Sequence, residues 1–285
     1  MAAEPGPAPQ PVPMAAPSNE LKKRVLSALV LVPLALVAAI VGGWPFALFW
    51  LAAGIAMMVE WTGMTRAAPL RPLQGIFAAA LAGATLLLLL RADIIVFVGL
   101  TAAALLVAAV LGRTPRDKMW AATGFLYGLV IVLVPPLVRA HPNLGLIGLL
   151  WMFAVVWATD IAGYFVGRAL GGPKLWPRVS PKKTWSGFLG GVFAAALAGF
   201  LVAWIAQRMG WMQPFSLRNT IMLSIVASIA SQLGDLGESA LKRHCDVKDS
   251  SHLIPGHGGV MDRLDGFWAV SLILAIVLFL TWMAG

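Results

Sequence analysis

Nine apolar runs, near positions 25–41, 46–61, 73–90, 94–111, 119–138, 144–166, 187–207, 219–237 and 266–284, take up most of this chain. Each approaches the ~20 helical residues needed to cross the hydrocarbon core of a bilayer, and tilting or local thinning accommodates the shorter ones. Hydrocarbon offers backbone N–H and C=O groups no water to bond, so segments of this kind satisfy themselves as helices. The pattern predicts an all-α fold: a polytopic transmembrane helical bundle of about nine spans, with polar loops forming its site. Composition agrees, since 12% of residues are charged and mean hydropathy is +0.85, against roughly 25% charged in soluble domains.

Residues 1–20 are crowded with Pro, Ala and Gly, including Pro5, Pro7, Pro9, Pro11, Pro13 and Pro17. They hold too little apolar surface to offset the entropy of ordering, so a disordered tail is expected. Lys22–Lys23–Arg24 before the next apolar run is similar to the start of a signal peptide. No small-residue cleavage site follows, and Gly42–Gly43–Trp44–Pro45 leads into more apolar sequence, which points to an uncleaved first helix. The remainder divides into N-terminal transmembrane helices over 21–143 and a C-terminal transmembrane region, 144–285, that carries the polar motifs and any catalysis. With one cysteine, Cys245, an intrachain disulfide and a cysteine-built zinc site are excluded.

The net charge of +9 does not indicate a nucleic-acid partner, because the basic residues lie in short loops between apolar runs and form no continuous stripe. Distributed over alternating sides of nine spans, 17 of the 21 Lys and Arg fall on the side of the N-terminus. Only Arg91, Arg139, Arg208 and Arg218 fall opposite. Basic loops stay in the cytoplasm and favour anionic headgroups, so the richer side is read as cytoplasmic. Both polar stretches that carry motifs, 167–186 and 238–265, emerge there.

Asp160 lies inside an apolar run, so it must face a bundle interior or a wet cavity. The plainer alternative is a structural pair with Arg168, and Gly163 and Gly167 read as a small-residue packing seam. Next comes Ser180–Pro181–Lys182–Lys183–Thr184, leading into a helix. Backbone N–H groups, a hydroxyl and ammonium groups at a helix start suit phosphate, although a Lys–Lys pair also serves as an ordinary membrane anchor. Ser231, Asp235, Glu238 and Lys242 recur at i, i+4, i+7 and i+11 on one helical face. Across a loop, Asp262 and Asp265 share a face at the start of the last span. Oxygen-rich sites of this composition favour Mg²⁺, bound through one or two carboxylates and substrate phosphates. Asp235 and Asp262 are the metal ligands expected, leaving room for a second cation.

The order Ser239…Lys242–Arg243…Lys248–Asp249…Pro255…His257–Gly258–Gly259…Asp262–Arg263…Asp265 resembles the C-terminal signature of the phosphatidate cytidylyltransferase, or CDP-diacylglycerol synthase, family. The stretch around Asp160, the Ser180–Thr184 block and Gln232–x–Gly234–Asp235–Leu236–x–Glu238–Ser239 are similar to further family motifs. The resemblance is specific from about Trp157 to Asp265; the first half matches in hydrophobic character. It implies an integral membrane enzyme of the bacterial inner membrane that joins CTP to phosphatidate in the bilayer, releasing pyrophosphate, with a homodimer allowed. Residues implied in catalysis are Asp235, Asp262, Lys242, Arg263 and Asp265. Those implied in substrate binding are Ser180, Lys182, Lys183, Thr184, Asp160, Ser239, Arg243, Lys248, Asp249, His257, Gly258 and Gly259. The family usually carries an acidic residue where this chain has Ser186.

Two other readings compete. A CTP-dependent polyprenol or dolichol kinase would also pair a nucleotide with a membrane alcohol, but the full His–Gly–Gly…Asp–Arg–x–Asp block argues against it. An anion or nucleotide transporter would use Asp160 and Asp235 as ion-coupling groups, yet no internal repeat is visible and the motifs cluster on one face. The topology has its own test. Reporter fusions after Lys118, Lys183 and Ser250 are expected to read cytoplasmic and one after Pro142 external; an external reading after Lys183 or Ser250 would overturn the orientation.

Overall fold

The computed structural model describes residues 18–211, 216–254 and 258–284. The expected N-terminal tail lies mostly outside them, as does His257. Nine helices run in order among the described residues: α1 Ser18–Val41, α2 Gly43–Thr65, α3 Leu70–Leu89, α4 Ile94–Leu111, α5 Pro115–Ala140, α6 Gly145–Leu170, α7 Trp185–Arg208, α8 Leu217–His244 and α9 Met261–Ala284. The eight from α2 onward are long and apolar enough to cross a membrane, whereas the described apolar part of α1, Leu29–Val41, is shorter. Between α6 and α7 the expected loop contains a small antiparallel hairpin, β1 Lys174–Trp176 and β2 Ser180–Thr184. The alternation that marks a strand is hidden there by prolines and by the hairpin's two-strand minimum.

Short connections bring alternate helix ends together. At one end Ala68 N donates to Asp117 Oδ1 at 3.0 Å, and Arg113 N donates to Ala68 O at 3.3 Å. Thr114 and Asp117 form a reciprocal capping box at the start of α5. At the opposite end Arg139 donates to Ala39 O at 2.8 Å and to Ile40 O at 3.3 Å, satisfying carbonyls that the end of α1 leaves unbonded.

Two apolar clusters flank α2. One joins α2 to α3, α4 and α5 through Met58, Leu73, Phe77, Leu81 and Phe125. The other draws in α9, where Trp50 stacks on Phe267 with ring centroids 4.9 Å apart and planes 5° from parallel. Trp268 Nε1 also donates to Tyr127 O at 2.9 Å, and the two rings stack at 4.3 Å. The N-terminal half therefore grips the last helix.

Lipid tails are as apolar as leucine, so helices in a membrane associate by close packing and polar stitches rather than by hydrophobicity. The α6–α7 pair follows that rule, and the expected glycine seam is present. A Cβ on Gly187 would lie 2.6 Å from Gly163 O and 3.2 Å from Gly167 Cα. Thr159 Oγ1 meets Ser228 Oγ at 2.9 Å, and Trp151 Nε1 donates to Ser224 Oγ at 2.9 Å, tying α6 to α8. Forcing backbones apart costs about 1–3 kcal/mol, so G187A should melt earlier in detergent than the parent. G99A, on α4 with nothing within 4 Å of the added methyl, should melt at or slightly above it.

Candidate active site

Helices α8 and α9 approach closely because each presents glycine to the other. A Cβ on Gly234 would sit 2.8 Å from Asp265 O, and one on Gly266 would sit 2.3 Å from Ser231 Oγ. That approach sets Asp235 and Glu238 beside Asp265, with one oxygen of each carboxylate within 4.8 Å of the others. Like charges at such spacing repel strongly where water is scarce. The structure answers them with cations. Lys183, at the end of the hairpin, makes an ion pair with Asp235. Lys242 Nζ stands 3.4 Å from Glu238 Oε1 and 2.6 Å from Asp262 Oδ1.

The face predicted for α8 is the one that carries the site. Glu238 Oε1 is nevertheless buried without a hydrogen bond, so Lys242 answers its charge and not its lone pair. Three carboxylate oxygens this close suit a hard divalent cation, which takes oxygen ligands from protein. Asp160 on α6 interacts with the charges of Asp265, Asp235, Lys183 and Arg263, and its side chain is exposed. Its expected alternative partner, Arg168, instead donates to Tyr164 Oη at 2.8 Å.

Asp262 lies one turn before Asp265 and is not one of the three clustered carboxylates. Its Oδ2 accepts from Ser250 N at 2.9 Å and Gly259 N at 2.8 Å and stands 2.9 Å from Ser250 Oγ, whose single proton it shares with Glu60, while Oδ1 meets Lys242. It thus folds the segment before α9 around itself. Gly258 and Gly259 are needed for this by space. Gly258 has φ +83°, and a Cβ there would sit 2.8 Å from Asp262 Oδ2. A Cβ on Gly259 would fall 2.0 Å from Ser250 Oγ.

Glu60, which belongs to none of the sequence motifs, is buried near the end of α2. Its Oε1 accepts from Ser251 Oγ at 2.6 Å and Val260 N at 2.9 Å. Its Oε2 accepts from Ser250 Oγ at 3.1 Å and Met261 N at 2.8 Å. Hydrogen bonds to an ionised group contribute ~1.5–3 kcal/mol each, and the two amides belong to the start of α9, where a negative charge is favoured. The signal available was a lone carboxylate within the apolar run 46–61.

The hairpin splits the Lys pair. Lys183 turns inward to Asp235, whereas Lys182 is exposed and makes no ion pair among the described residues. Thr184 is buried and caps α7 by accepting from Gly187 N at 3.2 Å, so one amide of the expected phosphate cradle is already satisfied. Ser186 meets Thr184 Oγ1 at 3.0 Å and donates to Gly171 O, closing the turn. Ser180, at the far end of β2, is half-buried. Ser239 Oγ is 3.4 Å from Asp235 Oδ1. Arg243, Lys248, Asp249 and Arg263 are exposed at the same end of the bundle. A cavity of about 650 Å³ between α2, α4 and α5 opens at the other end, beside Arg91 and Arg139, and contains none of these groups.

Comparison with known proteins gives the family. The family model described as "Cytidylyltransferase family" matches residues 22–281. The phosphatidate cytidylyltransferase of Brucella suis biovar 1 (strain 1330) is 42% identical over 259 residues, covering 90% of this chain and 92% of its own. That of Bacillus subtilis (strain 168) is 44% identical over 139 residues, covering 48% of this chain and 50% of its own. The likeness thus extends well beyond the Trp157–Asp265 stretch on which the sequence reading rested. With the family model spanning nearly the whole chain and a relative this similar over nine-tenths of it, the chain belongs to the cytidylyltransferase family.

Proposed function

We propose that this membrane protein is a phosphatidate cytidylyltransferase, converting CTP and phosphatidate to CDP-diacylglycerol and pyrophosphate. The observation that carries the reading is the Asp235–Glu238–Asp265 cluster, faced by Lys183, in a chain of this family. Its end of the bundle also bears 17 of the 21 basic residues, which supports a cytoplasmic site open to nucleotide.

Asp235, Glu238 and Asp265 are the residues we assign to hold a divalent cation of the Mg²⁺ kind. When bound, it would neutralise phosphate charge as a Lewis acid. Phosphatidate is already anionic, so no general base is required. One of its phosphate oxygens bonds to the α-phosphorus of CTP in line, and the bond to the α–β bridging oxygen breaks with its electron pair going to pyrophosphate. Lys183 lies close enough to the cluster to meet the nucleotide phosphates, with Lys182 and Arg263 exposed to receive the growing negative charge. Lys242 and Asp262 hold each other and the segment before α9. The lipid reaches the site along the exposed apolar side of α6, where Trp157, Ile161 and Phe165 face outward.

In phosphatidate micelles, pyrophosphate release should require CTP, phosphatidate and a divalent cation together; release without the lipid, or CTP left intact, would overturn the assignment. D235N and D265N should lose activity by 100-fold or more and need more metal for what remains. D262N separates the two assignments of the second ligand. As a ligand variant it would raise the metal requirement, and as a loop-holding variant it should lower turnover at an unchanged requirement. K183A should raise the CTP concentration for half-maximal rate by about 10-fold or more, as loss of one charge-assisted contact of ~1.5–3 kcal/mol implies.

A further inference from the structure

The carboxylate cluster is built entirely from α8 and α9, and neither the motifs nor the family signature quoted above includes a residue of α2. Yet the polar anchor for that region comes from α2. Glu60 is about 4% exposed, and all four of its hydrogen bonds come from residues 250–261, some two hundred positions away in sequence. Two of those donors are the backbone amides of Val260 and Met261, which α9 itself cannot satisfy because they precede its first internal bond. The other two are the hydroxyls of Ser250 and Ser251.

Ser250 links this anchor to the reaction centre. Its Oγ lies 3.1 Å from Glu60 Oε2 and 2.9 Å from Asp262 Oδ2, and its backbone amide donates to the same Asp262 oxygen. Asp262 in turn holds Lys242, which faces Glu238 of the cluster. A continuous path of hydrogen bonds and ion pairs therefore runs from Glu60 through Ser250, Asp262 and Lys242 to Glu238. Gly259 sits against the anchor so tightly that a Cβ there would be 2.7 Å from both Glu60 oxygens.

We propose that Glu60 is a positioning residue for cytidylyl transfer: it fixes the start of α9, and with it the places of Asp262, Lys242 and Asp265. The role depends on the carboxylate and not merely on a polar side chain. Every partner of Glu60 is a donor, so the amide of glutamine would offer one acceptor oxygen and turn an N–H₂ toward a backbone N–H. The serine hydroxyls can rotate to accept from that group, but an amide N–H cannot. Aspartate keeps the charge and withdraws it by one methylene.

This inference rests on the cytidylyltransferase reading, and its test has a readout that does not. The full chain is purified in detergent as wild type, E60Q, E60D and S251A. Hydrogen exchange is followed at peptides covering 250–265, and steady-state rates are measured against CTP, phosphatidate and Mg²⁺. In E60Q, amides at the start of α9 should exchange at least 10-fold faster while peptides from α3 and α4 keep their wild-type protection. Per folded molecule, kcat should fall 10-fold or more with KM for phosphatidate unchanged and the Mg²⁺ requirement raised. E60D should lie between E60Q and wild type, and S251A, which removes one of the four bonds, should show the same pattern more weakly. If E60Q proves too unstable to purify, S251A and E60D carry the test. Wild-type exchange at α9, or a lower yield with normal kcat and metal dependence per folded molecule, would overturn the proposal. An inactive wild type with the exchange pattern intact would instead count against the cytidylyltransferase reading and leave the anchor standing.

Discussion

Negative charge held inside a helical bundle is the constraint on which the rest of this structure depends. A carboxylate beside hydrocarbon is tolerated only where donors or cations answer it. This protein concentrates such groups at one end, and each has a different answer. Glu60 is met by four neutral donors, Asp262 by two amides, an ammonium and a share in the Ser250 hydroxyl that also serves Glu60, and Asp235 by Lys183. The close approach of α8 to α9 through Gly234 and Gly266 follows from the same need, because it brings the groups within reach of one another. Apolar packing of Trp50 and Tyr127 against Phe267 and Trp268 then holds α9 where those bonds can form.

Much of the fold was legible in the sequence because a bilayer permits so few solutions. Apolar runs had to be helices, and the α8 face of Ser231, Asp235, Glu238 and Lys242 followed from a spacing of three and four. Gly163 and Gly167 likewise announced a seam. The hairpin was not legible, since strands of three and five residues, the first followed by Pro177 and the second containing Pro181, leave no alternating pattern to read.

For the candidate site, the sequence shows which carboxylates stand near one another more than how they are wired. The motif singles out both Asp262 and Asp265, but spacing along a helix cannot say which of two carboxylates one turn apart meets a partner helix and which meets its own preceding loop. Here Asp265 does the first and Asp262 the second. Glu60 illustrates the larger difficulty. Its partners are some two hundred residues distant, and nothing local distinguishes a carboxylate that caps another helix from one that marks the end of a span.

Exposure changes steadily across the charged groups, from 2% for the Glu238 side chain to 26% for Lys183 and 37% for Asp235. The ion pair at the wet edge is thus the one that an incoming ligand meets first. Lys183 serves as a counter-ion that spares Asp235 an uncompensated charge. On the proposed function, a metal–nucleotide arriving there would present both a cation for Asp235 and an anion for Lys183, so each partner could trade one opposite charge for another. Loading would then be an ion exchange that leaves the local charge balance nearly constant, and a lone cation or a lone anion, able to complete only half of the trade, would be the poorer visitor.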